Sequence, residues 1–437
     1  MTINSFNPQS TDEVHWRRTA AERPKASVLS EDIEVDFAIV GGGLTGCRTA
    51  IGLAEEGATV AVLDTMEIGW GASGRSGGQC NPIWRATPEE LVKKFGKQQA
   101  NRLIETTLGS ADALFHDIGK YDVDCDAEQN GWVQAAHCKS AKKRLISLGE
   151  AWNKAGAPIE FLGKEQTQER CGSPEYGFSL FHQKGGHVQP LSLTYGYARA
   201  AERLGAQLFE SSKVTAMNRV GGQWHLKTAK GRVVAKQVIL TTNAYTNGLW
   251  PGLQQTFFPM VSIALATEPL SAELQQQVLP NAVTIADTRR AIYFARYDRD
   301  RRLIFGCVGS TDQAAALGGL GRLRNGLHRV FPQLRQSKIE TAWAGRIAVT
   351  TEMMPHLHEP APGVLAAVGF SGRGIAMTSV MGRALARKAM GAQDNTLPFP
   401  VTPVSPIPLH WGTKKLLPLG APAMSFRDKL DTLIDGF

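Results

Sequence analysis

The 437-residue sequence is poor in cysteine and lacks any long hydrophobic run. Its six cysteines are scattered and no two form a C-x-x-C pair, which argues against a disulfide framework and a cysteine-rich metal site. No stretch approaches about 18 consecutive apolar residues, so no membrane-spanning helix is expected. The first residues are polar and do not form a charged segment before an apolar run, so we expect no signal peptide and a cytoplasmic protein.

Charged residues are also sparse, at 20% of the chain, with 48 Lys and Arg against 40 Asp and Glu. The resulting charge of +8 is spread along the sequence rather than gathered in a stripe, so nucleic-acid binding is not expected. A hydrophobic content of 43% excludes a disordered chain. Glycine, in contrast, is plentiful with 45 residues, which points to tight turns and close backbone approaches.

The strongest local pattern is a strand, a glycine-rich turn, a helix and a second strand, beginning at residue 35. The turn contains Gly41, Gly43 and Gly46 in the spacing G-x-G-x-x-G, which is typical of a Rossmann dinucleotide site. In such a site the first glycine permits a tight turn and the second lets a pyrophosphate touch the backbone. The third lets the helix pack close to the strand.

An acidic residue follows at the position that such a site requires. Asp64 ends the second strand, 18 residues after Gly46, where a carboxylate accepts hydrogen bonds from ribose hydroxyls. The helix that begins near Leu44 and Thr45 offers free N–H groups to the phosphates. Thr65 lies beside the carboxylate. This motif alone leaves NAD and FAD open as cofactors.

A second glycine-rich loop, residues 71–79 with the sequence G-A-S-G-R-S-G-G-Q, decides between the two. This loop resembles that of the D-amino-acid-oxidase family of flavoproteins, where it runs along the pyrophosphate and the flavin. Three later segments resemble the same family over a match that spans about residues 35 to 395: G-G-H-V-Q-P-L at 185–191, W-A-G-R at 343–346 and G-F-S-G-R-G at 369–374.

The resemblance implies an α/β (α+β) fold of the glutathione-reductase type. A Rossmann-like FAD-binding domain would be interleaved with a substrate domain built on an antiparallel sheet. We expect the FAD-binding domain at 35–90, 185–250 and 340–395, and the substrate domain at 91–184 and 251–339. An N-terminal arm (1–34) and a C-terminal extended segment and helix (396–437) complete the chain, the helix opening at Ser425 with a capping box.

The cofactor implied by the resemblance is FAD, held noncovalently because no cysteine follows Cys307, whereas relatives with a thioether-linked flavin use a late one. The motifs assign the following residues to it: Gly41, Gly43, Leu44, Thr45, Gly46, Asp64, Thr65, Gly71, Ala72, Ser73, Arg75, Ser76, Gly77, Gly78, Gln79, Val214, Gly372, Arg373, Gly374 and Ile375. The Arg373 side chain either adds positive charge near the flavin or is a solvated surface group.

The activity implied is oxidation of a C–N bond in a small-molecule amine or amino acid. The glycine-loop string, the Gly-Gly-His segment and the S-x-R-D-K-L tail are most similar to members that oxidise glutamylated putrescine, so a polyamine derivative is favoured. Arg346 and Tyr293 are the candidate catalytic residues. The loss of a family lysine near Ile304 leaves oxygen or another electron acceptor open. A D-amino-acid or glycine-type dehydrogenase and a flavin-binding partner protein with little turnover remain alternatives.

Two further patterns have simpler explanations. Residues 74–78 match the G-x-S-x-G motif of serine hydrolases, but a strand and a helix do not flank them directly. His356 and His358 form a pair with too few neighbours of the right type for a metal, so no metal site is predicted. Tyr293, Arg296 and Tyr297 either line an amine pocket or are half-buried sheet residues.

Overall fold

In the computed structural model, residues 14–310 and 320–437 are described. The helices are α1 (His15–Arg18), α2 (Leu44–Glu55), α3 (Pro88–Phe95), α4 (Lys97–Lys120), α5 (Lys139–Lys154), α6 (Lys164–Cys171), α7 (Pro190–Arg203), α8 (Ala272–Gln277), α9 (Leu320–Val330), α10 (Gly374–Ala389) and α11 (His410–Asp435). The strands are β1 (Ile33–Val40), β2 (Val60–Leu63), β3 (Gln79–Cys80), β4 (Trp132–Ala135), β5 (Ile159–Leu162), β6 (Ser179–His182), β7 (Gly186–His187), β8 (Gln207–Phe209), β9 (Ala216–Val220), β10 (Gln223–Lys227), β11 (Arg232–Leu240), β12 (Phe258–Pro269), β13 (Thr284–Asp287), β14 (Tyr293–Tyr297), β15 (Arg302–Ser310), β16 (Ile339–Val349), β17 (His356–Ala361), β18 (Val364–Val368) and β19 (Val401–Thr402).

The first sheet, here called the dinucleotide sheet, has a parallel centre in the order β18-β11-β1-β2-β8. β2 and β18 are short and fully buried, and β1 is buried over its last four residues, as expected for strands covered on both faces. Val40 pairs with both Leu63 and Leu240, so the carboxyl ends of three strands meet at one edge. That edge is where open α/β sheets bind ligands.

The second sheet, here called the substrate sheet, has the order β16-β12-β15-β14-β13-β4-β6-β5. All its neighbouring strands are antiparallel except β13 and β4. The alternating sequence between about 255 and 345 predicts this sheet. Its strands come from both sides of the chain segment that carries α7 and β8–β11, so the two sheets are interleaved in sequence.

The observed arrangement confirms the predicted fold class. A large hydrophobic core lies against the dinucleotide sheet and includes residues of α2, α7 and α10. One strand lies outside the domain to which the sequence assigned it. Residues from 340 were predicted in the FAD-binding domain, but β16, which begins at Ile339, pairs with β12 in the substrate sheet. The partition itself stays a prediction.

The two ends of the chain differ from the sequence-based expectation. The predicted N-terminal arm contains Trp16, whose side chain is completely buried, so at least this part of the arm belongs to the core. The last helix begins at His410 rather than at Ser425, so Ser425 lies inside α11 and is not its N-cap. The sequence did not predict a helix beginning at His410 because Pro418 and Pro422 favour a break in a helix.

Among the described residues, no helix is at once long enough and apolar enough to cross a membrane. All six cysteines fall within the described ranges, and each is buried and unpaired.

Candidate active site

A cavity of about 800 Å³ runs from the carboxyl edge of the dinucleotide sheet to one face of the substrate sheet. Every predicted cofactor-binding residue except Gly46 lines it. The residues between these two ends come from the second glycine-rich loop and the turn before α10. Segments far apart in sequence therefore converge on one space, and each contributes a different part of its wall.

The turn between β1 and α2 forms the first part of the wall. Gly41 has φ of +116°, which only glycine adopts readily, and Gly43 precedes α2 without any side-chain cap. A Cβ on Gly46 would lie 2.0 Å from the carbonyl oxygen of Gly41, so Gly46 acts by letting α2 approach β1 and not by lining the cavity. The N-terminus of α2 therefore faces a space that can hold a pyrophosphate.

Asp64 closes this end of the cavity. Its two carboxylate oxygens accept hydrogen bonds from the backbone N–H groups of Gly42 (2.8 Å) and Met66 (2.9 Å), which fixes the carboxylate at the strand end. Burial within the crevice raises the pKa of Asp64 to about 6. Each oxygen retains a free lone pair, so the carboxylate can still accept from the hydroxyls of a ribose.

The second glycine-rich loop is held from behind by three buried side chains. Trp343 Nε1 donates to the carbonyl of Arg75 (2.9 Å), Trp16 Nε1 to that of Ser76 (2.8 Å) and Arg296 Nε to that of Gly77 (2.7 Å). Three consecutive carbonyls are thus satisfied by the protein interior. We call Trp16, Arg296 and Trp343 the loop clamp.

The side chains of this loop are only partly satisfied by the protein. The Arg75 guanidinium bonds to the carbonyls of Trp70 and Ala344, but its Nη2 and the Ser76 hydroxyl have no partner among the described residues. Leu44 N–H donates to Ser73 Oγ (2.9 Å), which joins this loop to the start of α2. Unpartnered buried donors beside a glycine cradle fit the phosphates and ring edges of a flavin dinucleotide.

The turn after β18 contributes a second helix N-terminus. Gly369 and Gly372 have φ of +85° and +81°, and Ser371 also adopts a positive φ of 51°. Asn243 Oδ1 accepts from Gly369 N–H (2.9 Å), and the Ser371 hydroxyl donates to the Gly369 carbonyl (2.9 Å), which stabilises this turn. The turn leads directly into α10, whose cap residue Arg373 makes no capping hydrogen bond.

The far wall is the face of the substrate sheet that is turned toward the glycine loops. It is largely apolar, with the following cavity-lining residues: Trp132, Gln134, Met260, Ser262, Ala286, Ile292, Phe294 and Val308. Such a wall excludes water from a bound molecule and disfavours a charge on it. Met424 of α11 and Arg290 also line the cavity, so the C-terminal helix forms part of the enclosure.

The two candidate catalytic residues have different positions. Arg346 lines the cavity, where its guanidinium lies 5.8 Å from the ring of Tyr245. Tyr293 does not line it, because its ring packs 5.3 Å from that of Phe305 and against Gly326 of α9. The alternation of β14 instead brings Phe294 to the cavity, and the structure gives no support to a catalytic Tyr293.

Arg296 and Tyr297 of the same strand are sheet residues, as one of the two interpretations predicted, but they are fully buried rather than half-buried. Arg296 belongs to the loop clamp, and burial lowers the pKa of its guanidinium to about 10. Tyr297 donates to the carbonyl of Val278 and is also buried.

Arg373 is likewise buried, so the interpretation as a solvated surface group is wrong.

Within the described ranges, one group of three side chains could hold a metal ion: His137, Asp428 and Asp431. Arg290 Nη1 lies 2.9 Å from Asp428 and 2.7 Å from Asp431, so an arginine already occupies the space between the carboxylates. Burial lowers the pKa of His137 to about 4. This network attaches α11 to the substrate sheet next to the cavity.

Several residues that line the cavity were not predicted from the sequence. Arg85, Trp132, Gln134, Arg290 and Met424 lie in no glycine motif, and each reaches the cavity only through the tertiary fold. Trp16 of the loop clamp carried no pattern that separates it from an ordinary core tryptophan. The W-A-G-R segment had marked Trp343 as part of a family element, but not what its indole does.

Comparison with known proteins agrees with this geometry. The family model described as DAO, FAD dependent oxidoreductase, matches residues 36–388, which is most of the chain. The chain belongs to this family. The match confirms the predicted family, its FAD cofactor and the class of enzyme, a flavin-dependent oxidoreductase of amines and amino acids.

Two relatives in the family show how far the similarity extends. The chain is 32% identical over 372 residues to the probable oxidoreductase OrdL of Haemophilus influenzae, covering 84% of this chain and 85% of that protein. It is 31% identical over 422 residues to the gamma-glutamylputrescine oxidoreductase of Escherichia coli K12, covering 95% and 98%. The latter match extends beyond the residues of the family model.

Solved structures show the same fold. Glycine oxidase from Geobacillus kaustophilus superposes with a TM-score of 0.69 at 21% identity, covering 82% of this chain and 95% of that one. L-Proline dehydrogenase from P. horikoshii gives 0.70 at 20% identity, covering 86% and 98%.

Proposed function

We propose that this flavoenzyme oxidises the C–N bond of a glutamylated polyamine, with gamma-glutamylputrescine as the favoured substrate. The observation that carries the proposal is the single cavity that joins a dinucleotide cradle to a water-excluding sheet face. The similarity to the gamma-glutamylputrescine oxidoreductase, over 95% of the chain, supports the choice of substrate. The length of this match is important because the family model ends before α11, and α11 helps to enclose the cavity.

We propose that the motif residues hold FAD noncovalently. Asp64 would accept from the ribose, the N-terminus of α2 and the loop from Gly71 to Gln79 would bind the pyrophosphate, and the backbone around Val214 would contact the adenine end. The turn from Gly372 to Ile375 would face the flavin with the free N–H groups of α10. Among the described residues, no cysteine lines the cavity, which supports noncovalent binding.

Bound FAD supplies the acceptor for a hydride from the carbon next to the amine nitrogen. The protein's own contribution is positioning and desolvation. Met260, Ile292 and Phe294 form an apolar surface that favours the neutral amine and keeps water from the reacting carbon. Arg346 also lines the cavity, beside Tyr245, and we propose that it orients the substrate. Water hydrolyses the imine product to an aldehyde or keto product, releasing ammonia from a primary amine or a shorter amine from a secondary one.

The cytoplasm is the location we propose, supported by the six unpaired, buried cysteines.

The proposal is tested by mixing the purified holoenzyme anaerobically with gamma-glutamylputrescine, putrescine, glycine and D-alanine, and recording the flavin absorbance. Gamma-glutamylputrescine is expected to bleach the flavin faster than the other three. Preferential bleaching by glycine or D-alanine would instead support an amino-acid dehydrogenase or oxidase, and no bleaching would favour a flavin-binding partner protein.

The same experiment assigns the electron acceptor. Rapid recovery of the flavin absorbance on admission of air is the behaviour of an oxidase, whereas a flavin that stays bleached in air identifies a dehydrogenase. The reaction of the reduced flavin with oxygen is worth measuring because the family's lysine is replaced. Among the described residues, Lys213 is the one lysine that lines the cavity, and it lies at the dinucleotide end. Ile304, near the place of the family lysine, is buried in the core.

A further inference from the structure

We infer that the outer face of α11 binds the surface of a membrane that contains anionic lipids. This inference goes beyond the proposed function and does not depend on which amine is oxidised. It concerns the second half of the helix, from residue 426 to residue 435, where apolar and acidic side chains lie on opposite faces. We call the outward apolar face the apolar stripe, and it consists of Phe426, Leu430, Leu433 and Ile434.

The apolar stripe faces away from the protein. Phe426, Leu433 and Ile434 are 64%, 82% and 81% exposed, and Leu430 is also exposed. At about 100° of rotation per residue, the four side chains fall within an arc of about 100° on one side of the helix. A surface helix normally turns its apolar face to the core, so the orientation of α11 is the reverse of the usual one. A contiguous exposed apolar patch of this kind marks an interaction site.

The opposite face of the same half is acidic and is attached to the protein. Asp428 and Asp431 bond to the Arg290 side chain at 2.9 and 2.7 Å, and Asp435 Oδ2 accepts from Ser140 N–H at 2.5 Å. The three carboxylates thus have partners within the protein. The apolar stripe could turn inward only if these bonds broke, so it is held outward.

The exposed charges beside the apolar stripe are positive. Lys429 and Arg427 are both exposed, and the helical rotation places one at each edge of the stripe. Helix α5 begins beside the end of α11, and its first turns carry three more exposed cations: Lys139, Lys143 and Arg144. Basic side chains at the edges of an apolar face suit a lipid surface, because their stems lie along apolar groups while their charges reach the headgroups.

These charges favour an anionic membrane over a second copy of the chain as the partner of the apolar stripe. In a twofold dimer the same patch would form both halves of the interface, so the basic edges of the two copies would approach one another. An anionic lipid surface instead attracts them, and each basic residue near such a surface strengthens binding about fivefold. Met424 of the same helix lines the cavity, so the membrane would lie across α11 from the substrate.

The experiment measures how much holoenzyme sediments with sucrose-loaded vesicles of phosphatidylcholine alone, or of phosphatidylcholine mixed with phosphatidylglycerol. The protein is expected to bind the mixed vesicles more tightly and to be released from them by high salt. Leu433→Gln combined with Ile434→Gln is expected to weaken this binding about 100-fold, because two large apolar side chains are lost from the stripe. Arg427→Gln combined with Lys429→Gln is expected to weaken it about 30-fold.

The matched controls are Val220→Gln and Arg219→Gln, an exposed valine and an exposed arginine of β9, which are expected to change nothing. Absent binding to the mixed vesicles, or equal binding to both kinds of vesicle, overturns the inference. A dimer in sedimentation velocity that Leu433→Gln combined with Ile434→Gln dissociates also overturns it, because a second copy would then cover the apolar stripe. These results are independent of the flavin-bleaching experiment, so either proposal can fail while the other stands.

Discussion

The two ends of the cavity are built in different ways. The dinucleotide end is made mostly of backbone: glycines, the N-terminus of α2 and one carboxylate, all within short stretches that follow β1 and β2. The substrate end is made of side chains from β4, β12, β14, α10 and α11, which only the complete fold brings together. An end built from backbone can bind a cofactor that the whole family shares. An end built from side chains can differ between family members and so bind different substrates.

This difference predicts that substitutions at the dinucleotide end act on flavin binding, whereas those at the substrate end act on substrate binding. The largest effect is expected for Gly46→Ala, because the added Cβ would lie 2.0 Å from the Gly41 carbonyl oxygen. Moving α2 away from β1 should cost about 3 kcal/mol, or about 150-fold in FAD affinity. The measurement is the dissociation constant for FAD of the apoprotein.

The matched control for this change is Gly109→Ala in α4, where a Cβ would meet nothing within 4 Å. Alanine there should stabilise the helix by about 0.5 to 1 kcal/mol and leave FAD affinity unchanged. Equal FAD affinities in the two variants would show that the close contact between α2 and β1 does not shape the cradle.

Arg296 of the loop clamp connects β14 of the substrate sheet to the second glycine-rich loop, so Arg296→Met should affect both ends of the cavity. The change leaves the carbonyls of Gly77 and Val188 without their buried donors, which should lower the free energy of unfolding by about 3 kcal/mol. Urea denaturation of the holoenzyme measures this, with Arg219→Met as the control. If Arg296→Met unfolds like the wild type but loses flavin, the clamp positions the loop without stabilising the fold.

Asp64 should make FAD binding dependent on pH. Burial raises the pKa of its carboxyl group to about 6. Ribose hydroxyls donate to the ionised carboxylate, so binding lowers this pKa. FAD affinity should therefore be constant above about pH 6 and fall as the pH drops below it. Titration of the apoprotein with FAD between pH 5 and 8 measures this trend.

The control is Asp64→Asn, which should bind FAD about tenfold more weakly at pH 8, a loss of about 1.4 kcal/mol, and show no pH dependence in this range. A wild-type affinity that rises as the pH falls below 6 would show that the protonated carboxyl is the form that binds.

The smallest effect is expected where α11 attaches to the substrate sheet. Asp428 is buried and accepts from the N–H groups of Arg290 and Ala291 and from the Arg290 side chain, whereas Asp431 is partly exposed and bonds only to that side chain. Asp428→Asn should lower stability by about 1 kcal/mol and Asp431→Asn by about 0.5 kcal/mol. Thermal unfolding of the two variants provides the comparison, and a larger effect for Asp431→Asn would contradict it.

The same contrast explains what could be read from the sequence. The path from Gly41 to Asp64 is local, so spacing alone placed it, and the loop from Gly71 to Gln79 was assigned by its resemblance to a known family. The structure brings both to one cavity. Phe294 and Tyr293 show the opposite case. Alternation predicts that they lie on opposite faces of a strand, but both faces of β14 are covered, so hydrophobicity could not tell which one faces the cavity.

Long-range contacts explain why other features of the site could not be predicted from the sequence. Trp16 contacts Ser76, and Arg296 contacts Gly77, across 60 and 219 residues of chain, so no local pattern links them. Arg373 was assigned through its motif, but its side chain could be identified as buried only once β4 was in place. The start of α11 was missed because two prolines interrupt its pattern.

The most direct test of the central claim is a crystal structure of the holoenzyme with FAD bound. We predict that the isoalloxazine lies between the turn at Gly372–Ile375 and the face of the substrate sheet formed by Trp132 and Phe294, with the ribose on Asp64. An isoalloxazine placed away from the substrate sheet, or a ribose that does not contact Asp64, would contradict this account.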